Sequence, residues 1–360
     1  MDFQLSDDQR ALRSGMRDLL GAVFDRDRLR AAVERDGALD RSLWRELGAA
    51  GFFALRLPEE AGGVGLGLPE AVLLFEEAGR ALLPGPLVAT HLAAGLVKGA
   101  AEGEAVVTAV AGDLPVAHLA EADAVLVAGA EPLAGEALRA FVAAARPVRS
   151  MDPLTPLHRA PAVSVRTRAD AERAPADSVC TRADAERAPA ATERTPAHAG
   201  RFRFEAALLT AAEQLGSAAR TTEAAVQHAG DREQFGSPVG AFQAVKHLCA
   251  DMLARTEPAR AAVYAAAVTG DPVEIAAAKL LADEAAVRNA RDCLQIHGGM
   301  GFTWEADVHL HLKRAWLRAA SWLTGAGAEE LLAADLGAAG RLPRSSAAYG
   351  RPVPEAGGGG

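Results

Sequence analysis

Arg232-Glu233-Gln234-Phe235-Gly236-Ser237-Pro238 is followed, after three residues, by Phe242-Gln243-Ala244-Val245-Lys246. This stretch separates two alanine-rich helical patterns. Before it, Leu208, Leu215 and Val226 belong to one long helix. After it, Phe242, Val245, Cys249, Met252 and Thr256 recur at alternating steps of three and four, which is the seam of a helix bundle. Ser237-Pro238 reads as an N-cap with Pro at the first helical position, although Gly240 weakens the turn that follows. Further on, Asp271-Pro272-Val273-Glu274 caps a third helix that stops at Gly298-Gly299. A fourth covers roughly Asp307 to Leu323. Residues 205–340 therefore read as a four-helix bundle. The tail 341–360, ending in four glycines, is expected to be disordered.

Toward the N-terminus the texture changes twice. Val106-Val107, Val125-Leu126-Val127 and Val163-Ser164-Val165 are short β-branched runs between Gly, Pro and Asp, so residues 104–204 read as a reduced β domain. Inside it, Thr167–Ala176 recurs identically as Thr181–Ala190, a period of 14. Mixed charge, Ala and Pro without an apolar face make 166–200 a disordered repeat insert. Residues 1–103 are helical again. Ser6-Asp7-Asp8-Gln9 is a capping box, a second helix begins at Asp40 and carries Leu43, Trp44 and Leu47, and Pro69 opens another. The expected fold is mainly α with a small β middle domain.

Composition bounds the function. The 360 residues carry 38 Lys and Arg against 47 Asp and Glu, a net charge of −9, which disfavours nucleic acid as a partner. Hydrophobic residues reach 50% but aromatics only 5%, so the core is Ala, Leu and Val, suited to close helix packing. Cys180, Cys249 and Cys293 are too few and too scattered for a disulfide framework or a zinc site, and a reducing, cytoplasmic location follows as the expectation. The acidic start, Met1-Asp2-Phe3-Gln4-Leu5, has no signal-peptide character, and Leu82–Val97 is too interrupted for a membrane span. His297 reads as a packed or capping residue. His309 and His311 read as exposed on one helix, with no metal-ligand set around them.

The order helix, β unit, helix bundle resembles the acyl-CoA dehydrogenase family. The resemblance rests on three blocks. The first is Pro58-Glu59-Glu60-Ala61-Gly62-Gly63 with Gly65, followed by Glu76-Glu77-Ala78-Gly79-Arg80. The second is the stretch 232–246. The third is Gln295-Ile296-His297-Gly298-Gly299-Met300-Gly301-Phe302-Thr303-Trp304-Glu305. It covers about 1–100 and 205–325 and is weak between them. It implies FAD as cofactor, an acyl-CoA substrate, α,β-dehydrogenation of its thioester, an electron-transfer acceptor, and a homo-oligomer or a homologous partner subunit. It also implies cofactor contacts from Arg232, Phe235, Gln243, Gln295, Gly298 and Gly299, reaching FAD held by a neighbouring subunit. The chemistry of those residues agrees. A guanidinium holds a pyrophosphate in bidentate fashion, and paired glycines let backbone N–H groups approach phosphate oxygens.

Departures from the family pattern are equally informative. By alignment with the family's Tyr-Glu-Gly-Thr segment, Trp322 stands where the catalytic glutamate is usual. The family's alternative position falls at Ala206. Glu205 and Glu213 are the remaining candidates for a base, and Glu213 lies among Ala211, Ala212 and Leu215, where burial would raise its pKa. The middle-domain segment that grips the flavin ring in the family has no counterpart. Three readings follow. The chain is one subunit of a hetero-oligomer in fatty acid or steroid side-chain oxidation, lending its half-site to a partner's FAD. It is a self-sufficient homo-oligomer with Glu213 or Glu205 as base. Or it is a catalytically inactive structural subunit.

Overall fold

The computed structural model describes residues 4–111, 114–127, 130–161 and 196–339. The strand expected at Val163–Val165, nearly all of the repeat insert and the tail 341–360 lie outside these residues. The N-terminal region comprises α1 (Asp7–Val23), α2 (Arg26–Glu34), α3 (Arg41–Ala49), α4 (Leu68–Arg80) and α5 (Leu87–Ala93). The capping box at α1 forms as expected: Gln9 N–H donates to Ser6 Oγ and Ser6 N–H to Gln9 Oε1, each at 3.1 Å. The helix α2 was not anticipated, because its apolar face is only Leu29, Ala32 and Val33. Asp25 caps it by accepting from Arg28 N–H. Phe52 and Phe53 lie in turns and close an aromatic core with Trp44 and Phe75, ring centroids 4.7–5.4 Å apart.

The middle region is as slight as its short runs suggested. β1 (Val107–Val110) pairs in parallel with β3 (Ala124–Val127), which pairs antiparallel with β4 (Leu133–Ala134). A second sheet orders β2 (Val116–Ala117), β6 (Leu157–Arg159) and β5 (Arg146–Val148), all antiparallel. The helix α6 (Gly135–Ala144) packs Leu138 and Phe141 onto Val116, Val125 and Val127. Among the described residues these strands close no barrel.

The C-terminal region is helical throughout. α7 (Pro196–Asp231), α8 (Gln243–Thr269), α9 (Pro272–His297) and α10 (Val308–Ala319) supply the four expected helices, and α11 (Gly325–Ala339) adds a fifth packed on α9. Residues 196–200, assigned by sequence to the spacer, form the first turns of α7. Ser237-Pro238 does not open α8. The pair forms β8, which makes a two-residue hairpin strand with β7 (Glu233–Gln234), and α8 starts at Gln243. The capping at Asp271 is as expected, its carboxylate accepting from Val273 and Glu274 N–H. At the bundle's centre, Asn289 Nδ2 lies 2.9–3.1 Å from the Thr222 and Thr256 hydroxyls and the Met252 carbonyl, joining α7, α8 and α9. The bundle and the N-terminal region share one core. They meet where a Cβ on Gly216 would stand 1.8 Å from the Glu76 carbonyl oxygen, and one on Gly79 2.0 Å from that of Glu213.

Candidate functional site

The sequence-predicted residues fall into two places. The first is a cleft of about 140 Å³ between α5, the strands β1 and β2, and the bundle helices α7 and α10. Thr108, His118, Glu213, Arg314, Arg318 and Trp322 line it. Glu213 is buried, and its Oε1 accepts from Arg318 Nη2 at 2.7 Å, while Oε2 makes no hydrogen bond among the described residues. Burial pushes the Glu213 pKa up despite the opposing charges of Arg318 and Arg314, and burial likewise brings the Arg318 guanidinium down to about 10. Neighbouring Arg314 is clamped by Asp152 through Nε and by the Leu83 carbonyl through Nη1 at 3.1 Å. Trp322, which stands where the family's glutamate is usual, has a left-handed backbone at φ 63° and packs edge-on against Phe202.

Glu205 is not in this cleft. It lines a separate groove with Arg56 and Arg201, both of which donate to it at 2.9 Å. Burial acts to raise its pKa, but the two guanidinium groups outweigh it and hold the carboxylate below its ordinary value. A carboxylate so tied is a poor proton acceptor.

The second place is an exposed surface where α7, α8 and α9 end or begin. His228 near the end of α7 stacks on His297 at the end of α9, ring centroids 4.0 Å apart, which brings the ends of these two helices together. The hairpin β7–β8 follows Arg232 at once, and Val239 N–H donates to the Arg232 carbonyl at 2.7 Å. At its tip, Phe235 has φ 54° and is 92% exposed, edge-on to Phe242. The side chains of Arg232, Gln243 and Gln295 make no hydrogen bond or ion pair among the described residues. Gly298 has φ 62°, and among the described residues a Cβ on Gly298 or Gly299 would meet no atom within 4 Å beyond its chain neighbours. The result is uncommitted donors, an open glycine cradle and an exposed ring on one surface. This donor set fits the pyrophosphate and adenine end of FAD approaching from outside the chain. The inner cleft, at about 140 Å³, is smaller than the about 300–1,000 Å³ usual for small-molecule pockets.

Two expectations are corrected here. His309 and His311 are buried rather than exposed: His309 packs edge-on to Trp304, and His311 Nδ1 lies 2.8 Å from Ser217 Oγ. The groups that sequence reasoning missed are Arg318, Arg314 and Asp152. The available signal was two arginines four residues apart on the same face of α10 as Leu310 and Ala315. Among the described residues no cluster of three His, Cys, Asp or Glu side chains could hold a metal, and no helix is long and apolar enough to cross a membrane.

Residues 6–102 match the family model for the acyl-CoA dehydrogenase N-terminal domain, and residues 200–340 match the model for its C-terminal domain. The chain is 35% identical over 302 residues to acyl-CoA dehydrogenase IpdE2 of Mycobacterium tuberculosis, spanning 80% of this chain and 84% of that one. It is 34% identical over 351 residues to acyl-CoA dehydrogenase FadE34 of the same organism, spanning 86% of this chain and 46% of that one. The chain therefore belongs to the acyl-CoA dehydrogenase family. Its fold is similar to that in the ChsE4-ChsE5 complex from Mycobacterium tuberculosis, with a TM-score of 0.73 at 22% identity over 95% of this chain and 100% of that one. It is also similar to the glutaryl-coenzyme A dehydrogenase glutaryl-CoA complex, with a TM-score of 0.76 at 18% identity over 94% and 97%.

Proposed function

We propose that this chain is one subunit of an FAD-dependent acyl-CoA dehydrogenase and works beside a homologous partner subunit. One contrast carries the reading. The exposed half-site keeps its donors uncommitted, whereas the inner cleft is about 140 Å³ and its carboxylate is tied to Arg318. When bound, FAD supplies the two-electron acceptor for dehydrogenation of the acyl thioester. Arg232 neutralises the pyrophosphate, Gln243 and Gln295 offer amide groups to it, Phe235 covers the adenine, and Gly298-Gly299 let the backbone come close. The partner holds the flavin ring and the base. A bulky, ring-bearing acyl-CoA is the proposed substrate class, supported by a further fold neighbour, the Tcur3481-Tcur3483 steroid ACAD G363A variant. A separate electron acceptor and a cytoplasmic site of action are part of the same reading.

The test is the flavin spectrum of the chain purified alone and of the complex recovered on the tagged chain from its native host. The isolated chain is expected to be flavin-free and the complex to carry FAD that Arg232→Ala removes. An isolated chain with stoichiometric FAD and acyl-CoA dehydrogenase activity overturns the proposal. One observation favours the self-sufficient alternative: Glu213 lines the cleft with Oε2 unengaged. That alternative requires Glu213→Gln to abolish turnover.

A further inference from the structure

We propose that Arg26 and Arg30 of α2 are positioning residues for the exposed half-site. They hold the far end of the segment 298–307, so that Gly298 and Gly299 meet the FAD pyrophosphate in one arrangement. This role rests on the half-site reading above and adds to it two residues from the other end of the chain. The apolar face of α2 is only Leu29, Ala32 and Val33, so this nine-residue helix gives little to the core. Arg26 and Arg30 stand one turn apart on one side of it. Both reach the chain 274 to 281 positions later, where it leaves the glycine pair. Arg26 Nε donates to Asp307 Oδ2 at 2.6 Å, and its Nη2 donates to the Glu305 carbonyl at 2.7 Å. Arg30 Nη2 donates to the Trp304 carbonyl, and its Nε stands 3.0 Å from Asp307 Oδ1 as an ion pair. Asp307 occupies the N-cap position of α10, where an aspartate ordinarily accepts from N–H groups of its own first turn. Here it makes no such bond. Its carboxylate is turned from α10 to the two arginines of α2.

The stretch between the glycines and this clamp needs it. From Gly298 to Glu305 only Gly301 is buried. An exposed run with three glycines has much backbone freedom to lose when a ligand orders it. Its near end is fixed at His297, whose Nδ1–H donates to the Cys293 carbonyl at 2.8 Å and whose ring stacks on His228. Inside the run, Thr303 folds back on Met300, its N–H and hydroxyl both donating to that carbonyl at 3.1 and 2.8 Å. The far end is fixed by α2. With both ends held, part of the ordering cost is met before FAD arrives, and such preorganisation raises affinity. Arg26 is 62% exposed, and ion pairs at that exposure add little to global stability. The contact is therefore suited to fixing one loop rather than holding the whole fold.

Two measurements separate positioning from a structural role. In the isolated full chain carrying both Arg26→Ala and Arg30→Ala, hydrogen–deuterium exchange at amides 299–304 is expected to quicken at least threefold, with the urea midpoint near that of the parent. In the complex recovered on the tagged chain and stripped of flavin, FAD affinity is expected to fall at least fivefold in the same variant. Asp307→Asn attacks the contact from its other side. Adding Arg26→Ala to it should weaken FAD binding no further than Asp307→Asn alone, because both act through one contact. Unchanged exchange and unchanged FAD affinity, while Arg232→Ala weakens binding, overturn the positioning role and leave the half-site standing. Additive losses in the combined variant also overturn it, as does a urea midpoint that falls together with the affinity. If Arg232→Ala leaves FAD affinity unchanged, the half-site reading fails and the positioning role with it.

Discussion

Glu213 and Arg318 are each under a tenth exposed and hold one another in the interior of the cleft. Removing one charge from such a pair strands the other, at about 3–5 kcal/mol. Glu213→Gln is therefore expected to lower the chain's urea midpoint strongly, and Glu213→Leu combined with Arg318→Met to recover most of it. A single variant as stable as the parent would show that the pair contributes nothing. Two buried imidazoles give a pH dependence of known sign. Burial brings His91 down to about 4 and His311 to about 3, both from an ordinary 6.5. Between pH 6.5 and 4 the unfolded chain binds more protons at these positions, so stability is lost as pH falls through that window. In urea titrations at pH 7 and pH 5, His91→Gln is expected to shrink the difference between the two midpoints. The burial of Glu213 was legible from Ala211, Ala212 and Leu215. Its partner was not, because Arg318 lies 105 positions away and only tertiary packing joins them.

At the scale of elements, the legible features were those written locally. The capping box at Ser6 and the Asp271 cap need only neighbours in sequence, and both form. Ser237-Pro238 shows the opposite case. Its local signal says helix start, but Phe235 and Gly236 at positive φ turn the chain back so that Ser237 pairs with Gln234. That hairpin is what projects Phe235 outward. Gly299 and Gly216 separate the two duties of glycine in this chain. At Gly299 a side chain meets nothing, so Gly299→Val is expected to leave the urea midpoint nearly unchanged while the complex loses flavin. At Gly216 a Cβ strikes the Glu76 carbonyl, so Gly216→Ala should cost about 1–3 kcal/mol or more by forcing α4 and α7 apart. Equal midpoints for Gly216→Ala and the parent would contradict the close packing.

The molecule as a whole is two well-packed helical regions sharing one core around a small β region. Motif blocks made both helical regions legible. The β region was only outlined, because its strands are two to four residues long and carry too little pattern to specify pairing. The exposed face of the bundle reveals what composition concealed. Aromatics are only 5% of the chain, yet Phe235, Phe302 and Trp304 are 92%, 71% and 61% exposed. Rings that could have strengthened an alanine-rich core instead stand exposed, Phe235 close in sequence to Arg232, and Phe302 and Trp304 in the segment that follows Gln295. Large exposed apolar groups beside uncommitted polar ones are the makings of a protein interface, whose centre aromatic residues tend to dominate. Phe302 is mostly solvent-exposed, so Phe302→Glu should leave the chain's fold intact and place a charge within the proposed interface. Analytical ultracentrifugation of the complex is expected to show dissociation to single subunits, with circular dichroism of the variant unchanged. An assembly that tolerates Phe302→Glu would move the interface away from this face, and the proposed half-site with it.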